Sequence, residues 1–174
     1  FFYGMNALGD DGHVAGFADS RSDPTGLWPE LHLKWEILRN RVMRFGTSAE
    51  RVRAVLPELT TQDMAISFTD GFSISLGQHA RSFGATARLV GGFHGISTFT
   101  QRTPPAFRAM AEARTRAGLH GLDHAFFFGA ADRQCAIDTY GLDPARTSLF
   151  RFGIDSEFWT PGADEEDACD GVVF

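Results

Sequence analysis

Three short segments set reactive side chains where an apolar run gives way to small or polar residues: Thr69-Asp70-Gly71-Phe72, Gly91-Gly92-Phe93-His94-Gly95 and Gly129-Ala130-Ala131-Asp132. His94 lies between glycines, which let backbone and ligand approach closely, and its imidazole can donate, accept or carry a proton near neutrality. Its structural alternative is a histidine bonded to a loop carbonyl. Asp70 could accept the proton of a ligand hydroxyl, since a carboxylate at a cleft edge needs only a modest pKa adjustment to do so. Aspartate is also a favoured helix N-cap, and the two roles are compatible. Asp132 and Arg133 are expected on the exposed face of the helix that follows them.

Other chemistries lack their signatures. No Gly-x-Gly-x-x-Gly pattern, Walker lysine motif or Gly-x-Ser-x-Gly elbow occurs. The histidines at 13, 32, 79, 94, 120 and 124 show no ligand spacing, and the two cysteines, Cys135 and Cys169, form neither a zinc motif nor a redox pair. No cofactor and no metal is therefore expected. The net charge of -6, with arginines scattered among acids, argues against a nucleic-acid partner. No apolar run approaches the roughly 20 residues of a spanning helix. A reducing cytoplasm is the expected compartment, and a peripheral membrane contact stays open.

The elements that must hold these segments alternate between two periods. Gly4–Gly12 reads as a helix end, His13–Phe17 as a short strand and Ser20–Pro29 as a loop. Leu31, Trp35, Leu38, Val42 and Phe45 recur at three- and four-residue steps, which predicts an amphipathic helix with Trp35 on its buried stripe and Gly46 as its stop. Thr47-Ser-Ala-Glu50 has the pattern of a capping box, with Val52, Val55, Leu56 and Leu59 on the next apolar face. The uncharged run Met64–Phe68 reads as a strand buried on both faces of a parallel sheet.

Beyond it come a helix over Ser73–Phe83 stopped by Gly84, a strand Thr86–Phe93 and a helix Pro105–Leu119. A strand His124–Phe128, a helix Ala130–Tyr140 stopped by Gly141 and a strand Ser148–Phe152 complete the series. Strands alternating with long helices require crossovers, hence an α/β fold with a parallel sheet covered on both sides. In such sheets ligands lie beyond the carboxyl ends of the strands, where the three segments fall.

The run from Tyr140-Gly141 through Ser148–Phe152 to Gly153-Ile154-Asp155, Phe158, Trp159 and Pro161 resembles the end of the N-terminal domain in two-domain nucleotide-sugar glycosyltransferases of the GT-B fold, with one residue more than the usual spacing before the proline. Gly12-His13 is similar to the step after the first helix of these enzymes, and Arg88-Leu-Val-Gly-Gly-Phe-His-Gly95 to the strand that ends in their histidine. The resemblance, to the large retaining family that works without a bound metal, extends from Gly12 to Pro161. It implies a three-layer, Rossmann-like doubly wound parallel sheet. Residues 1–161 would form the acceptor-side domain with its first strand missing, 162–170 an acidic linker, and 171–174 the start of a donor-binding domain.

By the same resemblance the donor is a nucleotide-sugar co-substrate and the acceptor a glycan or lipid hydroxyl. His94 would then be catalytic, positioning the acceptor or hydrogen-bonding the donor sugar, with Asp70, Gly71, Gly92, Gly95 and Gly129 around the substrate. The family's two glutamates eight positions apart belong to the second domain. Here that interval occurs at Glu157 and Glu165 and again, without meaning, at Glu50 and Glu58 on a helix. Two rivals remain: a nucleotide-sugar epimerase of the same architecture, and a stand-alone Rossmann-like binding domain without catalysis.

Overall fold

The computed structural model describes Gly16, Ala18 and residues 26–150. The terminal features of the sequence, including the helix end at Gly4–Gly12, the Gly153–Pro161 run and the acidic segment, lie outside these residues. Of the strand expected at His13–Phe17 only Gly16 is described, and it is exposed and in no element.

The fold is mixed α/β. The helices α1 (Leu27–Met43), α2 (Ala49–Ala54) and α3 (Leu56–Thr61) precede strand β1 (Met64–Ser67). Then follow α4 (Asp70–His79), β2 (Arg88–Phe93), α5 (Ile96–Phe99), α6 (Pro105–Gly121), β3 (His124–Phe127), α7 (Ala130–Asp138) and β4 (Thr147–Leu149). The four strands form one all-parallel sheet in the order β1-β2-β3-β4. Consecutive right-handed crossovers between adjacent strands cover one face of a sheet. A doubly wound sheet needs a reversal of strand order, and none occurs among the described strands.

The register separates the two faces of the sheet. Ser67, Gly91, Ala125 and Thr147 lie side by side and are all buried under the helices. In the alternate set, Met64 is 51% and Ile66 42% exposed. The expectation that β1 is buried on both faces therefore fails: β1 is at the edge among the described strands, and no described helix covers its second face. That face instead carries an aromatic group in which Phe126 touches Phe68, Phe128 and Phe150 at centroid separations of 5.5 to 5.8 Å.

Helix α1 departs most from the sequence reading. It begins four residues earlier than the periodicity suggested, with Pro29 tolerated in its first turn, where a missing amide hydrogen costs nothing. It stops at the left-handed Arg44 (φ 51°) and not at Gly46. Its apolar stripe faces outward: Trp35 is 60% exposed, and Leu31, Leu38 and Val42 are exposed with it. The side turned to the body carries Glu36 and Met43.

The reason is a demand for an acceptor. The Glu36 carboxylate accepts hydrogen bonds from the Ser48 hydroxyl at 2.5 Å, the Ala49 amide at 2.9 Å and the Glu50 amide at 3.4 Å. It thereby occupies the start of α2, where orphan amides and the helix dipole favour an anion. The predicted capping box is replaced: Ser48, not Thr47, is the N-cap, and Glu50 turns away to His32 and Arg53. The single helix expected over the 50s is broken at Val55, because Pro57 lacks the amide hydrogen that would continue it.

The other boundaries shift by small amounts. Gly84 (φ 97°) and Gly141 (φ 71°) are left-handed stops, as their type suggests. Helices α4 and α6 pack on each other backbone to backbone. A Cβ on Gly77 would overlap the carbonyl oxygen of Gly118, and one on Gly121 that of Gly77.

Candidate functional site

The carboxyl ends of β1, β2 and β3 bring Asp70, His94 and Asp132 into one neighbourhood. Each strand delivers its chain to a short turn, and the turns are joined by hydrogen bonds between residues distant in sequence. Asp70 is the first residue of α4; the N-cap is Thr69, whose side chain makes no capping bond. Asp70 is therefore not the predicted N-cap. Its Oδ1 accepts the amide hydrogen of His94 at 2.9 Å. Burial pushes the Asp70 carboxyl above the ordinary aspartate range, partly offset by the amide hydrogens of His94 and Gly95.

His94 follows the last residue of β2 and is exposed. Its imidazole lies on the Phe128 ring with centroids 4.0 Å apart and planes within 19°. Nε2 is 2.8 Å from the Phe68 carbonyl oxygen. A carbonyl can only accept, so Nε2 carries the proton, and in the neutral ring Nδ1 holds the lone pair. Among the described residues nothing bonds Nδ1. The loop-carbonyl bond of the structural alternative is thus present, and it leaves one nitrogen for a ligand.

Asp132 was expected on an exposed helix face and is instead 8% exposed. Its Oδ1 accepts from both the amide (2.9 Å) and the hydroxyl (2.7 Å) of Ser97. Two carboxylates, one from the first turn of α4 and one from that of α7, hold the 94–97 segment at both ends. Arg133, also expected outward, is half-buried and donates from Nε to the Thr147 hydroxyl at 2.8 Å. The signal for Asp132 lay in an acid placed a few residues after a strand, as at Asp70. Its partner, a serine 35 positions away, could not be read from spacing.

The glycines divide by what fills their space. A Cβ on Gly71 would overlap the carbonyl oxygen of Gly46, so Gly71 lets the segment before α2 lie on the start of α4. The space beside Gly92 is taken by the Phe126 ring. Gly95 and Gly129 are the N-cap residues of α5 and α7. Gly95 has open space around it apart from the Thr98 hydroxyl at 3.5 Å.

A cavity of about 450 Å³ opens beside this turn. Thr69 and Gly71, flanking Asp70, line it, with Glu36 and Asn40 of α1, Arg51 of α2 and Ser75 of α4. Leu33, Ile37 and Phe72 also line it, and the side chains of Glu36, Asn40 and Ser75 are already hydrogen-bonded within the protein. Among the described residues no three His, Cys, Asp or Glu side chains are grouped to hold a metal ion. No described helix is long and apolar enough to cross a membrane. No protein-family profile matches the chain, and no curated protein matches it either.

Proposed function

We propose that this chain is the N-terminal, acceptor-side domain of a nucleotide-sugar-dependent glycosyltransferase of GT-B architecture, acting in the cytoplasm on a glycan or lipid hydroxyl. The observation that carries the reading is His94: a histidine at the carboxyl end of a parallel strand, held by the Phe68 carbonyl and the Phe128 ring, with Nδ1 left for a ligand. The resemblance of the Arg88–Gly95 and Tyr140–Pro161 segments to that family supplies the reaction class. A second domain would bind the nucleotide diphosphate sugar, and closure over it would exclude water from the transfer.

The same reading makes the sheet doubly wound. Among the described strands β1 pairs only with β2, and α1, packed outboard of α4 through α2, presents an apolar stripe directed away from the described core. Both features are accounted for by further strands beyond the β1 edge, lying under α1. The strand order would then reverse beside β1, and ligands of open α/β sheets bind in the crevice at such a reversal. The cavity at Thr69 and Gly71 is at the carboxyl end of β1, where that crevice would be.

The test is donor-dependent transfer by the complete protein. His94→Ala is expected to lower transfer strongly while leaving nucleotide affinity largely intact. Unchanged turnover would remove His94 from the site, and epimerised sugar formed from donor alone would favour the epimerase.

A further inference from the structure

We propose that the β3–α7 turn is the positioning element for His94, with Phe128 and Asp132 fixing the imidazole as the Nε2–H tautomer so that Nδ1 accepts a hydrogen bond from a ligand hydroxyl. The inference rests on the transferase reading only for the identity of that hydroxyl. Phe128 acts directly. Its ring, 4.0 Å from the imidazole and nearly parallel to it, limits the ring's rotation and leaves Nε2 aimed at the Phe68 carbonyl. Phe128 is itself held edge-on by Phe126 at 5.6 Å and by Phe150 at 5.5 Å.

Asp132 acts through the backbone. By binding the Ser97 amide and hydroxyl it closes one end of the 94–97 segment, while Asp70 closes the other at the His94 amide. Phe128 and Asp132 flank the same short turn, so a single turn controls both the plane of the ring and the path of the loop that carries it. The chemical consequence is selective. A neutral imidazole whose only N–H is committed to a carbonyl recognises hydrogen-bond donors, and a hydroxyl is the donor a sugar or its acceptor offers. A phosphate oxygen, which can only accept, is not matched by this tautomer. Phe128 and Asp132 touch no reacting atom in this scheme and are positioning residues.

The experiment is nitrogen-15 NMR of the histidine side chains in the complete protein, with the His94 signals assigned by their loss in His94→Gln. At a pH where the ring is neutral, wild type is expected to show the His94 proton on Nε2. Phe128→Leu, which removes the stack, is expected to give a mixture of tautomers, whereas Phe128→Tyr retains the single form. Asp132→Ala is expected to broaden or divide the same signals, and the near-isosteric Asp132→Asn to restore them in part. A wild-type His94 protonated on Nδ1 overturns the proposal, as does a tautomer unmoved by both Phe128→Leu and Asp132→Ala.

Turnover is the second readout. The two disruptive variants are expected to lower kcat roughly 10-fold with the KM for donor little changed, the pattern of a misplaced group whose binding contacts survive. An equal rise in KM with no loss of kcat counts against positioning. If the NMR result holds and no nucleotide-sugar supports transfer, the transferase reading falls and the tautomer assignment stands.

Discussion

Asp70 and His94, 24 residues apart, are joined by a 2.9 Å hydrogen bond from the His94 amide to the Asp70 carboxylate. The bond ties the end of β1 to the end of β2 at the mouth of the sheet. Because burial raises the Asp70 pKa, the native state binds its proton more tightly than the unfolded chain does. Stability from this group is therefore present at low pH and lost as pH rises through its folded pKa. Asp70→Asn keeps an acceptor oxygen and does not ionise. It is expected to flatten the fall in stability between the ordinary aspartate range, about pH 4, and neutrality. Urea midpoints of variant and wild type at the two pH values give the comparison; parallel slopes would mean that Asp70 is as solvated folded as unfolded.

Glu36 is 2% exposed and serves the start of α2. Glu36→Ala strands the Ala49 and Glu50 amides and the Ser48 hydroxyl, at a cost of about 2 kcal/mol or more. Glu36→Gln keeps one acceptor and should lose less. Denaturant titration ranks the two, and equal losses would show that a neutral acceptor contributes nothing there and that the helix start depends on the charged carboxylate.

His79 titrates in the opposite sense to Asp70. Burial lowers its pKa, and the positive charges of Arg114, Arg39 and Arg53 act in the same direction against Glu36. The folded state then binds this proton less tightly than the unfolded chain, so stability is lost as pH falls from about 6.5 toward the lowered value. His79→Gln should be less sensitive than wild type between about pH 7.5 and 5, the interval that brackets an ordinary histidine. Thermal midpoints across that interval decide it, and an undiminished dependence would assign the titration to another group.

Trp35 tests the doubly wound sheet. If strands beyond β1 lie under α1 in the complete protein, Trp35→Ser removes a buried aromatic and costs about 3 kcal/mol. A change within about 0.5 kcal/mol, typical of a surface site, would leave the stripe uncovered and withdraw that support.

Much of the described fold was legible because parallel strands and crossover helices write different periods into the chain. The uncharged runs at Met64, Leu89 and Ala125 and the glycine stops at Gly84 and Gly141 fall close to where the structure has them. The orientation of α1 was not legible. Periodicity marks which side of a helix is apolar, but the side packed on the described core was decided by a carboxylate answering the free amides of another helix. The candidate site was legible in part for a related reason. His94 and Asp70 stand out by type and position, whereas Asp132 and Phe128 join it through contacts that only the folded sheet brings near.

The backbone contact between α4 and α6 restricts how this sequence can drift. Gly77, Gly118 and Gly121 each occupy space that no side chain can share, so a lone replacement at any of them must separate two helices at once. One of those helices begins with Asp70. Inherited variation along this seam would therefore reach the mouth of the sheet without altering a single residue there, and lineages keeping the site should keep all three glycines as a set.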